Sequence, residues 1–159
     1  MESLDGKIRA ITQMVWTSLL GLELQPCGDP QAPVPGRRSV AGWVEISGAW
    51  QGRIGLRCSA ELAQRVAAIV FATEGRSPSD RDASDLIAEL TNITGGNLKA
   101  MMPQPSRLSL PVASEEDDWE AEVAEGDHVT SVAFECLGEP LVVSCREPRR
   151  SRARAKAER

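Results

Sequence analysis

The stretch DASDLIAELTNITGGNLKAMMP, residues 82–103, has the residue spacing of one long amphipathic helix. On a helical wheel at about 100° per residue its apolar side chains gather on one side. The residues on this side are Leu86, Ile87, Leu90, Ile93, Thr94, Asn97, Leu98 and Met101. The helix is therefore predicted to bury this side in the core and to leave the opposite side exposed.

The exposed side of this helix is a narrow face that we call the polar arc. Its residues are Asp85, Glu89, Asn92, Gly96 and Lys99, with Gly95 beside them. A surface face normally uses good helix formers, and each glycine inside a helix costs roughly 1 kcal/mol relative to alanine. Either bare backbone at the two glycines lets another element pack closely, or a macromolecular partner approaches the arc beside Glu89 and Asn92. The place of Gly96 within the arc favours the partner.

Glu89 and Asn92 are three residues apart, so their side chains emerge next to each other on the helix. A carboxamide is neutral and carries both donors and an acceptor, so Asn92 can orient a water molecule but is a poor base. That suits hydrolysis of a reactive acyl phosphate, which depends on alignment and electrostatics. The carboxylate of Glu89 would hold a cation, such as a lysine of the partner. Taken alone, the E-x-x-N spacing is equally consistent with a solvated helix face.

The segments around this helix are predicted from hydrophobic periodicity and turn residues. The predicted order is α-β-β-α-α-β-β-β, an α/β fold of the α+β layered type with helices packed on a mainly antiparallel sheet. The chain is predicted to begin with a helix over 5–22 capped by Asp5, which is followed by a loop over 25–38 and by two strands that turn at 47–51. A second helix begins at Ser59 and ends at 74–75. The helix over 82–103 comes next, and the last strands lie in SRLSLPVAS, HVTSVAFECL and PLVVSCRE. The first two helices are predicted to bury Ile8, Ile11, Val15, Leu19, Leu22, Leu62, Val66, Ile69 and Val70.

The composition is that of one globular domain with a core of its own. The chain has 159 residues, of which 42% are hydrophobic and 26% charged. The domain is predicted to span residues 1–146, followed by a basic, disordered tail over 147–159. The acidic stretch over 115–127 lacks the ligand spacing of a calcium loop, so a solvated loop is favoured over a metal site.

Several classes of function are disfavoured by charge and composition. The formal net charge of -5 argues against a nucleic-acid binder, which needs a basic field. The four cysteines form no CxxC pair and the single histidine, His128, leaves no zinc site, so we expect no metal and buried thiols. The sequence has no signal peptide and no run long enough to span a membrane, which predicts a cytoplasmic protein without membrane contact.

The run IAELTNITGGNLKAMM, residues 87–102, resembles the signature helix of the CheC/CheX/FliY family of chemotaxis phosphatases. In that family an E-x-x-N on a helix is followed by glycines or other small residues. The likeness extends over residues 4–146, through the W-x-G turn at Trp50, the helix SAELAQRVAAIVF and the S-L-P segment at 109–111. The nearest branch is CheX, because a single E-x-x-N is present where CheC and FliY carry two.

The resemblance implies a phosphatase that acts on the aspartyl phosphate of a CheY-type response regulator. In the family the asparagine positions the attacking water and the glutamate pairs with a lysine of the regulator, roles that fall on Asn92 and Glu89. Asp85, Gly95, Gly96 and Lys99 would contact the partner, and magnesium would belong to the regulator, with no cofactor in this chain. A homodimer is also implied. The alternative is a receiver-binding module or scaffold subunit without catalysis.

Overall fold

The computed structural model describes residues 3–27, 38–114 and 127–148. Within these ranges the predicted fold class is confirmed: helices pack on a sheet in which every pairing is antiparallel. The elements are α1 Leu4–Leu20, β1 Gln25–Cys27, β2 Ser39–Gly48, β3 Gly52–Ser59, α2 Ala60–Phe71, a 3-10 turn Ala72–Glu74, α3 Asp80–Ala100, β4 Ser106–Leu108, β5 Val112–Ser114, β6 His128–Cys136 and β7 Glu139–Glu147.

The strands form one sheet in the order β1-β6-β7-β3-β2-β4, and β5 pairs with β2 beside β4. Side chains alternate between its two faces, as the strand geometry requires. One cross-strand row contains Val44, Ile54 and Cys145, and all three belong to the core. We call the face of the sheet that carries this row the helix face. The next row, Glu45, Arg53 and Arg146, points the other way and marks the outer face.

All three α-helices contribute to the core on the helix face. Their most deeply buried large side chains are Ile8, Trp16, Leu62, Ile87, Leu90 and Leu98. Three predicted core positions are instead on the surface, since Leu19 is 56%, Ile69 42% and Val70 37% exposed. In α1 the buried stripe continues from Trp16 to Leu20, because residues four apart lie above one another on a helix, and this leaves Leu19 outside it.

Three local predictions differ from the structure. The cap of α1 is Ser3, whose side chain accepts a hydrogen bond from the Gly6 amide, and not Asp5. The predicted loop over 25–38 begins with strand β1, which pairs with the far end of β6. The segment SRLSLPVAS forms two short strands, β4 and β5, because Pro111 between them has no amide hydrogen to continue the ladder.

Some predictions concern residues outside the described ranges. These are the acidic stretch over 115–126 and the tail from 149 onwards. Of the cysteines, Cys58, Cys136 and Cys145 are buried as predicted, whereas Cys27 is exposed. Burial raises the pKa of Cys58 and of Cys145 to about 12, so these two side chains are neutral thiols at physiological pH.

Candidate functional site

The polar arc lies on α3, whose first turn is fixed by a capping box. The Asp82 amide donates to the Ser79 side chain at 3.0 Å, and the Ser79 amide donates to the Asp82 carboxylate at 2.9 Å. Such reciprocal bonds satisfy two amides that a helix start otherwise leaves without partners. The helix therefore begins at Asp80, directly after its Ser79 cap, and it continues to Ala100.

One side of α3 is buried between the sheet and the other helices. Its buried residues are Ala83, Ser84, Ile87, Ala88, Leu90, Thr91, Thr94, Gly95 and Leu98. The hydroxyls of Thr91 and Thr94 donate to the carbonyls of Ile87 and Leu90, each at 2.7 Å, so burial leaves neither hydroxyl unsatisfied. The sequence placed Met101 and Asn97 on this side as well. Met101 is 47% exposed because it follows the end of the helix, and Asn97 is exposed in the last turn.

Two glycine contacts attach α3 closely to β2. A methyl group at Gly42 of β2 would lie 2.9 Å from the Ala88 Cα and 2.8 Å from the Thr91 hydroxyl. A methyl group at Gly95 would lie 2.5 Å from a methyl of Val44. Both distances are shorter than van der Waals contact, so only glycine allows the helix to approach the strand this closely. Sequence analysis missed Gly42, although an isolated glycine inside a strand pattern signals such an approach.

At Gly95 the absence of a side chain serves close packing with another element of the fold, which was the first of the two explanations. It is buried under the helix against Val44, and its predicted contact with a partner is not supported by this position. Gly96 is different, because a methyl group there would meet only a side-chain methyl of Leu108, at an ordinary 3.7 Å. A side chain on a helix leans toward the preceding turn, so a larger residue at 96 would lean over Asn92. The absence of a side chain at Gly96 leaves Asn92 uncovered.

The two glycines should respond oppositely to alanine substitution. Gly96→Ala is expected to stabilise the protein by up to about 1 kcal/mol, because helix propensity improves without a clash. Gly95→Ala is expected to destabilise it by about 1–3 kcal/mol, because the new methyl group overlaps Val44. Urea denaturation of both variants measures the difference, and equal stabilisation by both would contradict the close approach of α3 to β2.

Glu89 and Asn92 lie next to each other on the open side of α3. Glu89 is exposed and Asn92 is half-buried. Within the described ranges, neither side chain makes a hydrogen bond or an ion pair. By contrast, Asn97 on the same helix donates to the Ile93 carbonyl at 2.8 Å. The carboxylate of Glu89 and the carboxamide of Asn92 therefore keep their full capacity for a cation and a water molecule.

The other charged residues of the polar arc flank this pair. Asp85 is exposed one turn before Glu89, and Lys99 is half-buried in the last turn of α3. A lysine there also stabilises the negative end of the helix dipole, so Lys99 has a structural role whether or not a partner binds.

No group of three or more His, Cys, Asp or Glu side chains suited to a metal ion occurs among the residues that the structure describes.

Comparison with known proteins places this geometry in context. The family model described as chemotaxis phosphatase CheX matches residues 40–135, which is more than half of the chain and includes α3. No curated protein matches the chain. Among solved structures, the chain is similar to the CheX chemotaxis protein of Vibrio vulnificus, with 18% identity and a TM-score of 0.68 over 88% of this chain and 93% of that one.

Two further solved structures share the fold. One is CheX in a CheX-CheY-BeF3-Mg complex from Borrelia burgdorferi, with 16% identity and a TM-score of 0.70, covering 88% of this chain and 94% of that one. The other is FliY of Thermotoga maritima, with 10% identity and a TM-score of 0.57, covering 88% and 84%. At these identities the likeness establishes the fold, and the chemistry has to be argued from the residues of α3.

Proposed function

Because the chain belongs to the CheX family of chemotaxis phosphatases, we propose that it hydrolyses the aspartyl phosphate of a CheY-type response regulator. The observation that carries this proposal is the pair Glu89 and Asn92, adjacent on the open side of α3 with no partner among the described residues. A CheX from Borrelia burgdorferi has been solved with CheY and magnesium, which supports a receiver domain as the partner.

In the proposed reaction, water attacks the phosphorus and the aspartate carboxylate leaves, giving a free carboxylate and inorganic phosphate. An acyl phosphate has a good leaving group, so the water needs alignment more than deprotonation. The Asn92 carboxamide accepts a hydrogen bond from this water and turns one of its lone pairs toward the phosphorus. The open position of Gly96 leaves room for the phosphoryl group of the receiver to come close to Asn92.

Glu89 is proposed to hold a lysine of the receiver. Its carboxylate is exposed and has no cation within the described residues, so it can form an ion pair when the receiver binds. Asp85 adds a second negative charge one turn away on the same face. The magnesium ion is assigned to the receiver, where it would neutralise the phosphoryl oxygens, and the chain itself is proposed to need no cofactor.

The direct test is to phosphorylate the receiver domains of the same cell with a small phosphodonor and to follow the loss of phosphate. We expect faster dephosphorylation of at least one receiver when the protein is added. If every receiver keeps its phosphate equally long with and without the protein, the proposed activity is refuted.

Glu89 should contribute mainly to binding. Glu89→Ala is expected to weaken the complex with a phosphorylated receiver by about tenfold or more, because it leaves a receiver lysine without its anion. Titration calorimetry measures the affinity, and Glu23→Ala serves as the control, since Glu23 is also exposed but lies outside α3. Equal affinities of both variants would show that Glu89 does not contact the receiver.

The second candidate function is a receiver-binding module or scaffold subunit without hydrolysis. An exposed Glu89 could bind a lysine whether or not Asn92 positions a water, which is why binding and turnover have to be measured separately. This candidate requires a complex that forms with wild type and with Asn92→Ala, while neither protein accelerates dephosphorylation.

The proposal also includes the oligomeric state and the cellular location of the protein. We infer a homodimer from the family resemblance, and sedimentation equilibrium would measure it. We also infer a cytoplasmic location, where receiver domains act. None of the helices in the described ranges has the length and hydropathy needed to cross a membrane.

A further inference from the structure

The S-L-P segment, residues 109–111, joins strands β4 and β5 at the edge of the sheet. Leu108 of β4 lies opposite Ile46 of β2. Val112 of β5 lies opposite Trp43 of the same strand. Three residues of the edge therefore stand opposite two residues of β2, so the edge carries one extra residue. Such a bulge bends an edge strand and changes the direction of its side chains.

Hydrogen bonds of Ser109 hold the bulge in place. The Ser109 amide donates to the Glu45 carbonyl at 2.8 Å, and the Glu45 amide donates to the Ser109 hydroxyl oxygen at 2.8 Å. The same hydroxyl donates to the Leu110 carbonyl at 3.1 Å. In a regular antiparallel pair the two backbones exchange both bonds, so the hydroxyl replaces the Ser109 carbonyl. Pro111 follows with its restricted φ, and the backbone of Leu110 is thereby held on both sides.

Leu110 is displayed to solvent on this bulge. Its exposed fraction of 86% is the highest among the exposed large hydrophobic residues of the described ranges. A single exposed leucine is ordinary on a protein surface. The backbone of this one is already fixed, so a partner that covers it loses little conformational entropy in ordering it.

The edge of the sheet borders the open side of α3 through Leu108. The methyl carbons of Leu108 lie 3.4 Å from the position of a Cβ at Gly95 and 3.7 Å from that of a Cβ at Gly96. On the helical wheel Asn92 points between the directions of these two glycines, and it lies about one turn before them. Asn92 and the edge strand therefore belong to one continuous surface.

The strand register places Leu110 beside the turn of α3 that carries Asn92. At one end of the edge, β5 lies opposite Gly42, which in turn lies against Thr91 of α3. At the other end, Leu108 lies against the two glycines that follow Asn92. Leu110 is located between these two ends, so it flanks the candidate site on the side of the sheet edge.

On the basis of the function proposed above, we propose that Leu110 is a specificity-determining residue that packs on an apolar side chain next to the phosphorylated aspartate of the receiver. In the proposed complex the phosphoryl group lies at Asn92, so the receiver surface around it also covers the adjoining edge. Glu89 holds a cation of the receiver, and Leu110 adds an apolar contact. A receiver with a polar side chain at this point is disfavoured, because that group would be desolvated without a hydrogen-bond partner.

Titration with receivers held in the phosphorylated form by beryllium fluoride and magnesium tests this role. Leu110→Ala is expected to weaken the tightest complex by about tenfold, because most of a covered apolar side chain is removed. The differences in affinity among the receivers of the same cell should also become smaller. Leu110→Met keeps an apolar side chain of similar volume and should bind within about twofold of wild type.

The dephosphorylation rate at saturating protein separates a docking role from a catalytic or structural one. In Leu110→Ala this rate should stay within about twofold of wild type, because Asn92 is unchanged. Leu19→Ala is the matched control, since Leu19 is also an exposed leucine, on a helix that packs mainly against α3, β6 and α2. This control should bind like wild type, and both variants should unfold at the same urea concentration as wild type.

The outcomes distinguish this inference from the proposed function. If wild type dephosphorylates a receiver and Leu110→Ala binds that receiver as tightly, the role of Leu110 is overturned and the proposed function stands. If wild type binds a receiver without hydrolysis and Leu110→Ala binds it more weakly, the contact is supported and only the hydrolysis fails. A wild-type protein that binds no receiver would overturn both. Dissociation of a homodimer by Leu110→Ala in sedimentation equilibrium would assign the leucine to a contact between two copies and overturn the inference.

Discussion

The Asn92→Ala variant is expected to lose the acceleration of aspartyl-phosphate hydrolysis by about 100-fold or more. Removing one group that orients a reacting species in an active site typically costs this much, and alanine cannot hold the water in line with the phosphorus. The measurement is a single-turnover assay with a phosphorylated receiver, in the presence of excess magnesium. Affinity for the receiver should change little, because Glu89 remains in place.

Asn97→Ala is the matched control for this variant. Asn97 is an asparagine on the same helix, exposed, and its side chain donates only to the Ile93 carbonyl one turn before. Both variants should unfold within about 0.5 kcal/mol of wild type, as is usual for surface substitutions. Full activity of Asn92→Ala, or an equal loss in both variants, would remove the proposed role of Asn92 in catalysis.

The Leu90→Ala variant is expected to lose about 2–5 kcal/mol of stability, because it leaves a cavity in a packed core. Leu90 is 2% exposed and belongs to the cluster formed by the helices and the helix face of the sheet. Such a loss is a large part of the total stability of an ordinary domain. Urea denaturation followed by circular dichroism measures it directly.

Glu89→Ala is the natural comparison, since it changes the preceding residue of the same helix. Its side chain is exposed, so its free energy of unfolding should stay within about 0.5 kcal/mol of wild type. A larger loss in Glu89→Ala than in Leu90→Ala would mean that the buried and open sides of α3 are interchanged.

The parts of the fold that follow local rules could be predicted from the sequence. The period of α3 separates Glu89 and Asn92 from Leu90, and in the structure Glu89 is exposed, Asn92 is half-buried and Leu90 lies in the core. The Ser59 and Ser79 caps also follow from residue type, because a hydroxyl before a helix accepts a bond from its first turn.

Contacts between distant parts of the chain could not be predicted in this way. Whether a glycine in α3 faces a partner or a strand depends on Val44 and Leu108, which are remote in sequence. Strand β1 is too short for a periodicity, and it exists only because β6 offers it an edge. The candidate site was found because E-x-x-N is a local pattern, whereas the receiver as substrate came from resemblance.

The glycine contacts of α3 with β2 determine which partner must adapt when a receiver binds. Gly42 lies under Ala88 and Thr91, and Gly95 lies on Val44, so the helix is attached to the sheet on both sides of Asn92. A helix held at two such points cannot roll or bend without moving the sheet. In the proposed reaction, the surface around Asn92 would therefore act as a rigid template, and the loops of the receiver would supply the conformational adjustment that brings phosphorus and water into line.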